Sequence, residues 1–215
     1  MDFGFLVENL PLLVRAAWTT AWLTVATLVL STLVALPLAV CGLRRPGRIS
    51  RAVLAWSTLM RSVPTLVILF LVYYGLPEIG TVLPALATAL AGLTLSAVAY
   101  TTEILRSGLK SVDPGQYEAA SALGIPAWRI WTWIIYPQSL PVVVPTWISN
   151  ATLILKGTSV ASIITIPELT AVANELVAES YRPFEILLST AAIYILLGGF
   201  ISLVARASVR RWRPR

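Results

Sequence analysis

Five apolar runs, at positions 16–43, 59–76, 82–105, 140–166 and 184–205, constrain most tightly what this chain can fold into. Crossing a hydrocarbon core of about 30 Å takes about 20 apolar residues in a helix. In lipid the backbone has no water to bond to, so each run must satisfy its amides internally, as a helix does. Of the 215 residues, 57% are hydrophobic and only 12% charged, against roughly 25% charged in a soluble domain. The expected fold class is all-α, a polytopic membrane protein with five transmembrane helices in a single domain over residues 1–215. Residues 1–15, with Asp2, Glu8 and Pro11, read as an interfacial helix or lead-in, and 51–61 as an approach to the second span. Pro141 and Pro145 are expected to break the fourth span, and 167–183, with Glu168, Glu175 and Glu179, to form a polar loop.

The charges orient these spans. Arg44, Arg45, Arg48, Arg51, Arg61, Arg106, Lys110, Arg129, Arg206, Arg210, Arg211, Arg213 and Arg215 gather beside one set of span ends. Only Arg15 and Arg182 lie at the other, where Asp2, Glu8, Glu78, Glu168, Glu175, Glu179 and Glu185 collect. Cytoplasmic ends carry the excess of Lys and Arg, so the N-terminus is expected outside and the C-terminus in the cytoplasm. The net charge of +6 is thus an orientation signal and does not point to nucleic acid. Met1-Asp2 lacks a basic n-region, so no cleaved signal peptide is expected.

Composition narrows the chemistry. Histidine is absent and Cys41 is the single cysteine, which removes His-based metal sites, thiolate clusters and intrachain disulfides. No metal site and no catalytic set is expected, and a membrane-embedded enzyme finds no support. No internal repeat suggests a self-contained carrier built from two halves.

The exception to the apolar pattern is the stretch 106–139, expected in the cytoplasm. Asp113 can cap a helix, Pro114 suits its first position, and Gln116 stands where a capping-box partner reaches back. Gly124 supplies a left-handed terminator and Pro126 prevents continuation. A helix over 114–123 follows, about 15 Å long. Its core, Glu118-Ala119-Ala120, offers a flat patch and one carboxylate to a basic partner; on the residues alone the favoured reading is a polar turn between spans. Trp128, Trp131 and Trp133 with Arg129 read as a helix at the membrane surface.

Four features combine into a resemblance. Glu118-Ala119-Ala120, Gly124, Ile134 and Pro137 resemble the EAA loop of the membrane subunits of bacterial ABC importers, with Tyr136 where leucine is usual. Arg61-Ser62-Val63-Pro64 and Tyr73-Tyr74-Gly75-Leu76-Pro77 are similar to the second-span signature of the polar amino acid subfamily, which imports histidine, glutamine, glutamate, arginine and opines. Ala99 to Gly108, through Tyr100 and Glu103, is similar to its third-span exit. Asn150, Leu155-Lys156, Thr158-Ser159 and Pro167-Glu168-Leu169 continue the pattern.

This resemblance implies a type I ABC importer permease fold with a cytoplasmic coupling helix, in the bacterial inner membrane. It implies two ATP-binding cassette subunits, a second permease subunit, identical or related, and an extracytoplasmic solute-binding protein. ATP and Mg would sit on the ATPase partners, with no cofactor on this chain, which carries no Gly-rich Lys-Ser/Thr phosphate loop. Glu118, Ala119, Ala120 and Gly124 would dock the ATPase. Charged groups within spans are costly and usually functional, so the pathway candidates are Asn150, Lys156, Thr158, Ser159 and Glu103. For each the alternative stays open: Lys156 snorkels or pairs between helices, Asn150 bonds across helices, Glu103 pairs with Arg106 at i,i+3. The family commonly has aspartate where this chain has Gly157, which weakens a cationic solute. The contrasting function is an autonomous carrier or channel, transporting without ATP.

Overall fold

In a computed structural model, residues 3–43 and 47–212 are described. Asp2, Arg44, Arg45, Pro46, Arg213 and Arg215 lie outside the described residues. The described chain is helical throughout, with no strand. Its elements are α1 (Phe3–Leu43), α2 (Arg48–Ser62), α3 (Thr65–Glu78), α4 (Ala85–Lys110), α5 (Pro114–Ala122) and α6 (Ala127–Arg129). A π-helical segment (Ile130–Ile135), α7 (Tyr136–Gly157), a 3₁₀ segment (Thr158–Ile164), α8 (Leu169–Ser180) and α9 (Pro183–Trp212) complete the order. Among the described residues three helices are long and apolar enough to cross a membrane: Val7–Leu43, Ala85–Lys110 and Pro183–Val209. Two bent pairs add up to two more crossings.

The bends change two of the expected spans. The run at 59–76 is two helices, α2 and α3, meeting at 100°. Proline disfavours helical backbone in the residue before it, and Val63, preceding Pro64, is extended at φ −90° and ψ 128°. The fourth run is not broken at Pro141 or Pro145, since α7 runs through both. Its break comes at Gly157, where the ladder tightens to 3₁₀, and Thr165 then turns left-handed at φ 66°. The π segment just before Pro137 absorbs the register change, with Tyr136 N–H donating to the Trp131 carbonyl; a proline has no N–H to hold the α register there.

The other corrections concern the segments expected to be irregular. Of the segment expected as a lead-in, residues 3–15 form no separate unit, because α1 continues through Pro11 for 41 residues, about 60 Å. Its first half is held by packing: Leu13, Ala16 and Ala17 are buried against Leu169, Ala173 and Leu176 of α8 and Ile186 of α9. The expected loop 167–183 is mostly α8, capped by Glu168, whose side chain accepts from Ala171 N–H.

Helix α4 is the central post, contacting α1, α2, α3 and α7. Hydroxyls tie it in, as expected where lipid gives no hydrophobic drive between helices. Ser57 donates to the Ala99 carbonyl at 3.0 Å, and Ser31 and Thr101 lie 3.4 Å apart. Trp147 Nε1 of α7 donates to Thr32 Oγ1 of α1 at 2.7 Å.

Gly108 sets how closely α4 and α7 approach. A Cβ placed there would stand 2.1 Å from Val143 Cγ2. Gly108→Ala is expected to cost about 1–3 kcal/mol by overpacking. Thermal unfolding in detergent checks this, and Val143→Ala in the same chain should recover most of the loss.

Candidate functional site

Helix α5 stands on a small platform. Asp113 Oδ1 accepts from Gly115 N–H at 2.7 Å, as a capping carboxylate does. At the other end Gly124 takes φ +74°. Ile125 N–H reaches back to the Ala120 carbonyl and Gly124 N–H to that of Ser121, the paired bonds of a Schellman close. Nothing crowds a Cβ at Gly124, so glycine is there for the left-handed backbone, not for space. Gln116 does not close a capping box. Its Oε1 accepts from Gln138 Nε2 at 3.2 Å, linking α5 to the start of α7.

Of the four residues expected to dock a partner, three face outward. Glu118, Ala119 and Gly124 are exposed, and Glu118 makes no hydrogen bond or ion pair among the described residues. Ala120 differs: it is buried at 4% exposure against Ile130 and Ile135, with Leu109, Val112 and Ile125 beside them. The flat patch expected from Ala119-Ala120 is therefore divided, because consecutive helical residues point about 100° apart. Leu123, the C-cap of α5, is 80% exposed and adds an apolar tip to its end. Next to it, Arg129 lies 5.1 Å from the rings of both Trp128 and Trp133, an arrangement in which aromatic faces hold the guanidinium.

The second site is a cavity of about 360 Å³ between the start of α3, the middle of α4 and the end of α7. Thr65, Ser96, Tyr100, Asn150 and Lys156 supply its polar wall. Thr65 Oγ1 and Ser96 Oγ are 2.9 Å apart, and Tyr100 OH donates to the Arg61 carbonyl at 3.3 Å. Asn150 Nδ2 donates to Thr101 Oγ1 at 3.4 Å. Lys156 lies in the last turn of α7, where the helix dipole favours a cation, and is exposed with no ion pair among the described residues.

The structure brings together only some of the residues expected along a pathway. Asn150 and Lys156 share the cavity. Thr158 is fully buried and its hydroxyl donates to the Leu155 carbonyl, so it does not reach that space. Ser159 donates to the Lys156 carbonyl and lines a smaller neighbouring cavity of about 240 Å³ with Lys156 and Tyr194. Glu103 is paired with Arg106, Arg106 Nε donating at 2.9 Å, and lies away from the cavity. Thr65 and Ser96 enter the site without having been singled out for it. Their signal was the Pro64 break, which turns α3 against α4, and the i,i+4 spacing of Ser96 and Tyr100. A larger apolar cleft of about 740 Å³ near Trp131, Tyr136 and Val143 has no charged lining residue.

Among the described residues one carboxylate is buried in the protein interior. Glu168 is fully buried. Its oxygens accept from Ala171 N–H at 2.8 Å, Tyr194 OH at 3.1 Å and Thr20 Oγ1 at 3.4 Å. Thr20 in turn accepts from Leu169 N–H at 3.0 Å. These bonds tie α1, α8 and α9 together at the foot of the 3₁₀ segment.

Comparison with known proteins agrees with this architecture. Residues 28–214 match the family model of the binding-protein-dependent transport system inner membrane component. The nopaline transport system permease protein NocM of Agrobacterium fabrum is 32% identical over 212 residues, covering 94% of this chain and 88% of NocM. The probable glutamine ABC transporter permease protein GlnP of Bacillus subtilis is 39% identical over 150 residues, covering 68% of this chain and 69% of GlnP. Among solved structures, a crystal structure of an amino acid ABC transporter with histidines superposes with a TM-score of 0.90 at 30% identity, over 98% of this chain and 99% of that one. An inward-facing MetNI methionine ABC transporter shares the fold, with a TM-score of 0.85 at 20% identity over 96% of this chain and 99% of that one.

Proposed function

This chain belongs to the family of binding-protein-dependent transport system inner membrane components, and on that premise we propose that it is the membrane subunit of an ATP-driven importer of polar amino acids or related solutes. The observation that carries the mechanism is helix α5, capped at both ends, held on its own platform and presenting Glu118, Ala119 and Leu123 outward. A rigid, exposed helix of this kind transmits a push or pull from a partner to the span ends behind it. Two ATP-binding cassette subunits would seat α5 in basic grooves and hydrolyse ATP with Mg on their own surfaces. Their closure would draw the α5 helices of two permease subunits together and rock the spans from inward-facing to outward-facing. An extracytoplasmic binding protein would then deliver solute. This assigns the C-terminus and α5 to the cytoplasm and the N-terminus to the outside, in keeping with the placement of the basic residues.

The chain is a transport subunit, not an enzyme. Chain co-expressed with its ATPase and reconstituted with the binding protein should take up radiolabelled amino acid only when ATP is enclosed on the ATPase side. Transport by this chain alone, without ATP, would instead identify an autonomous carrier.

A further inference from the structure

We propose that the apolar cleft between the ends of α1 and α4 and the start of α7 holds an acyl chain of an anionic phospholipid, with Arg129 and Lys110 drawing its headgroup phosphate. The inference goes beyond the importer reading and requires only that the spans lie in a bilayer.

Depth and wall chemistry fit a lipid tail. The cleft measures about 740 Å³, within the roughly 300–1,000 Å³ of small-molecule pockets. Its α1 wall runs from Leu36 to Leu43, about 10 Å along the helix, and stops where α1 stops. Its α4 wall is Leu105 and Leu109, in the last two turns of that helix. Both helices are long and apolar enough to cross a membrane, so the cleft lies at acyl-chain depth beside their basic ends. Of its three hydroxyls, Thr132 donates to the Trp128 carbonyl at 2.8 Å and Ser139 to the Tyr136 carbonyl at 2.7 Å. The third belongs to Tyr136, half-exposed, as a phenol at headgroup level is. Water finds few partners on such a wall, and an empty cleft forfeits the dispersion contacts of its lining.

Charge selects the lipid. A tail that leaves the bilayer for this cleft gains no hydrophobic energy, because hydrocarbon is as apolar as the wall. Preference among lipids therefore comes from the headgroup. Lys110 follows the lining residue Leu109, is exposed and makes no ion pair among the described residues. Arg129 lies between the lining residues Ala127 and Trp131, and its guanidinium rests 5.1 Å from the rings of both Trp128 and Trp133. Stacked in this way it keeps edge N–H donors, which suit phosphate oxygens. Leu109 packs against the cluster that contains Ile130, so the two cations stand on adjoining elements. Arg106, also near the end of α1, is already paired with Glu103. Each free cation at a bilayer surface strengthens attraction to anionic lipid about fivefold, so two predict a preference on the order of twentyfold.

The test uses the assembled complex, permease pair with ATPases, in micelles holding equal amounts of dioleoylphosphatidylglycerol and dioleoylphosphatidylcholine. Native mass spectrometry counts the lipid retained after dilution into lipid-free detergent. Phosphatidylglycerol should exceed phosphatidylcholine by on the order of twentyfold. Phosphatidylglycerol with a diazirine at its tail end should label the cleft wall, Leu36, Val40 and Val143 included. Lys110→Gln combined with Arg129→Gln should lower the preference at least threefold while labelling of the wall persists. Val40→Trp, which fills the cleft, should reduce that labelling at least fivefold. Co-purification of the ATPase establishes that each complex is intact; should Val40→Trp fail this, Thr132→Trp fills the same space. A preference under threefold in the unaltered complex, or one that survives the paired glutamine substitutions, overturns the proposal. So do labels that fall away from the cleft, the result expected if an ATPase or a second permease subunit covers it. None of these outcomes touches ATP-dependent uptake by the unaltered complex, whose absence would overturn the importer reading instead.

Discussion

Glu118→Arg is expected to abolish ATP-driven uptake while leaving the chain folded and inserted. Glu118 is exposed and bonds to nothing among the described residues, and substitutions at such positions usually change stability by less than about 0.5 kcal/mol. Its effect falls on the partner. Exchanging a docking carboxylate for a cation places like charges face to face, at a cost of several kcal/mol. Each 1.4 kcal/mol is a tenfold change in affinity, so the ATPase should dissociate on purification and uptake should fall at least a hundredfold. Affinity pull-down of the ATPase and uptake by proteoliposomes, measured on the same preparation, check the two halves. Uptake and pull-down both at normal levels would remove Glu118 from the docking surface. Glu118→Gln, which loses charge without reversing it, should lie between the two.

The second large effect is on stability. Glu168→Ala removes the cap of α8 and leaves Tyr194 OH, Thr20 Oγ1 and Ala171 N–H without their buried acceptor. A lost cap costs about 0.5–2 kcal/mol and each orphaned buried group about 1–3 kcal/mol. These losses overlap, since the groups share one carboxylate, and a total of about 3–5 kcal/mol is expected. The unfolding midpoint in detergent should fall by on the order of 10 °C. Glu168→Gln keeps an acceptor and should lose about half as much. A midpoint within about 2 °C of the unaltered protein for Glu168→Ala, well below that scale, would mean that the carboxylate does not hold α1, α8 and α9 together.

Much of helix α5 was legible because its signals are local. Asp113, Pro114 and Gly124 act within one turn of themselves, and the caps form where the residues place them. The pairing of Glu103 with Arg106 is similarly local, at i,i+3 on one helix. Gln116 shows the limit: its capping-box spacing is present, yet Gln138 captures the amide from 22 residues away.

Apolar run length, the charge count and the absence of histidine determined by themselves that this chain is a bundle of membrane helices without His-based metal or acid–base chemistry. Motif order along the chain determined the family to which it is similar. Those properties depend on composition, period and short-range spacing, which sequence carries directly. Only the tertiary structure decided that α1 continues through residues 3–15, because Leu13 and Ala17 are buried by α8 and α9 from more than 150 residues away. Only it turned Ala120 inward while Ala119 faces out, since the platform of Ile130 and Ile135 chooses the face. Only it took Thr158 out of the cavity and left Lys156 in it. Which side of a helix meets space and which meets protein depends on the neighbours that pack against it. Those neighbours come from distant parts of the chain, and no local pattern names them.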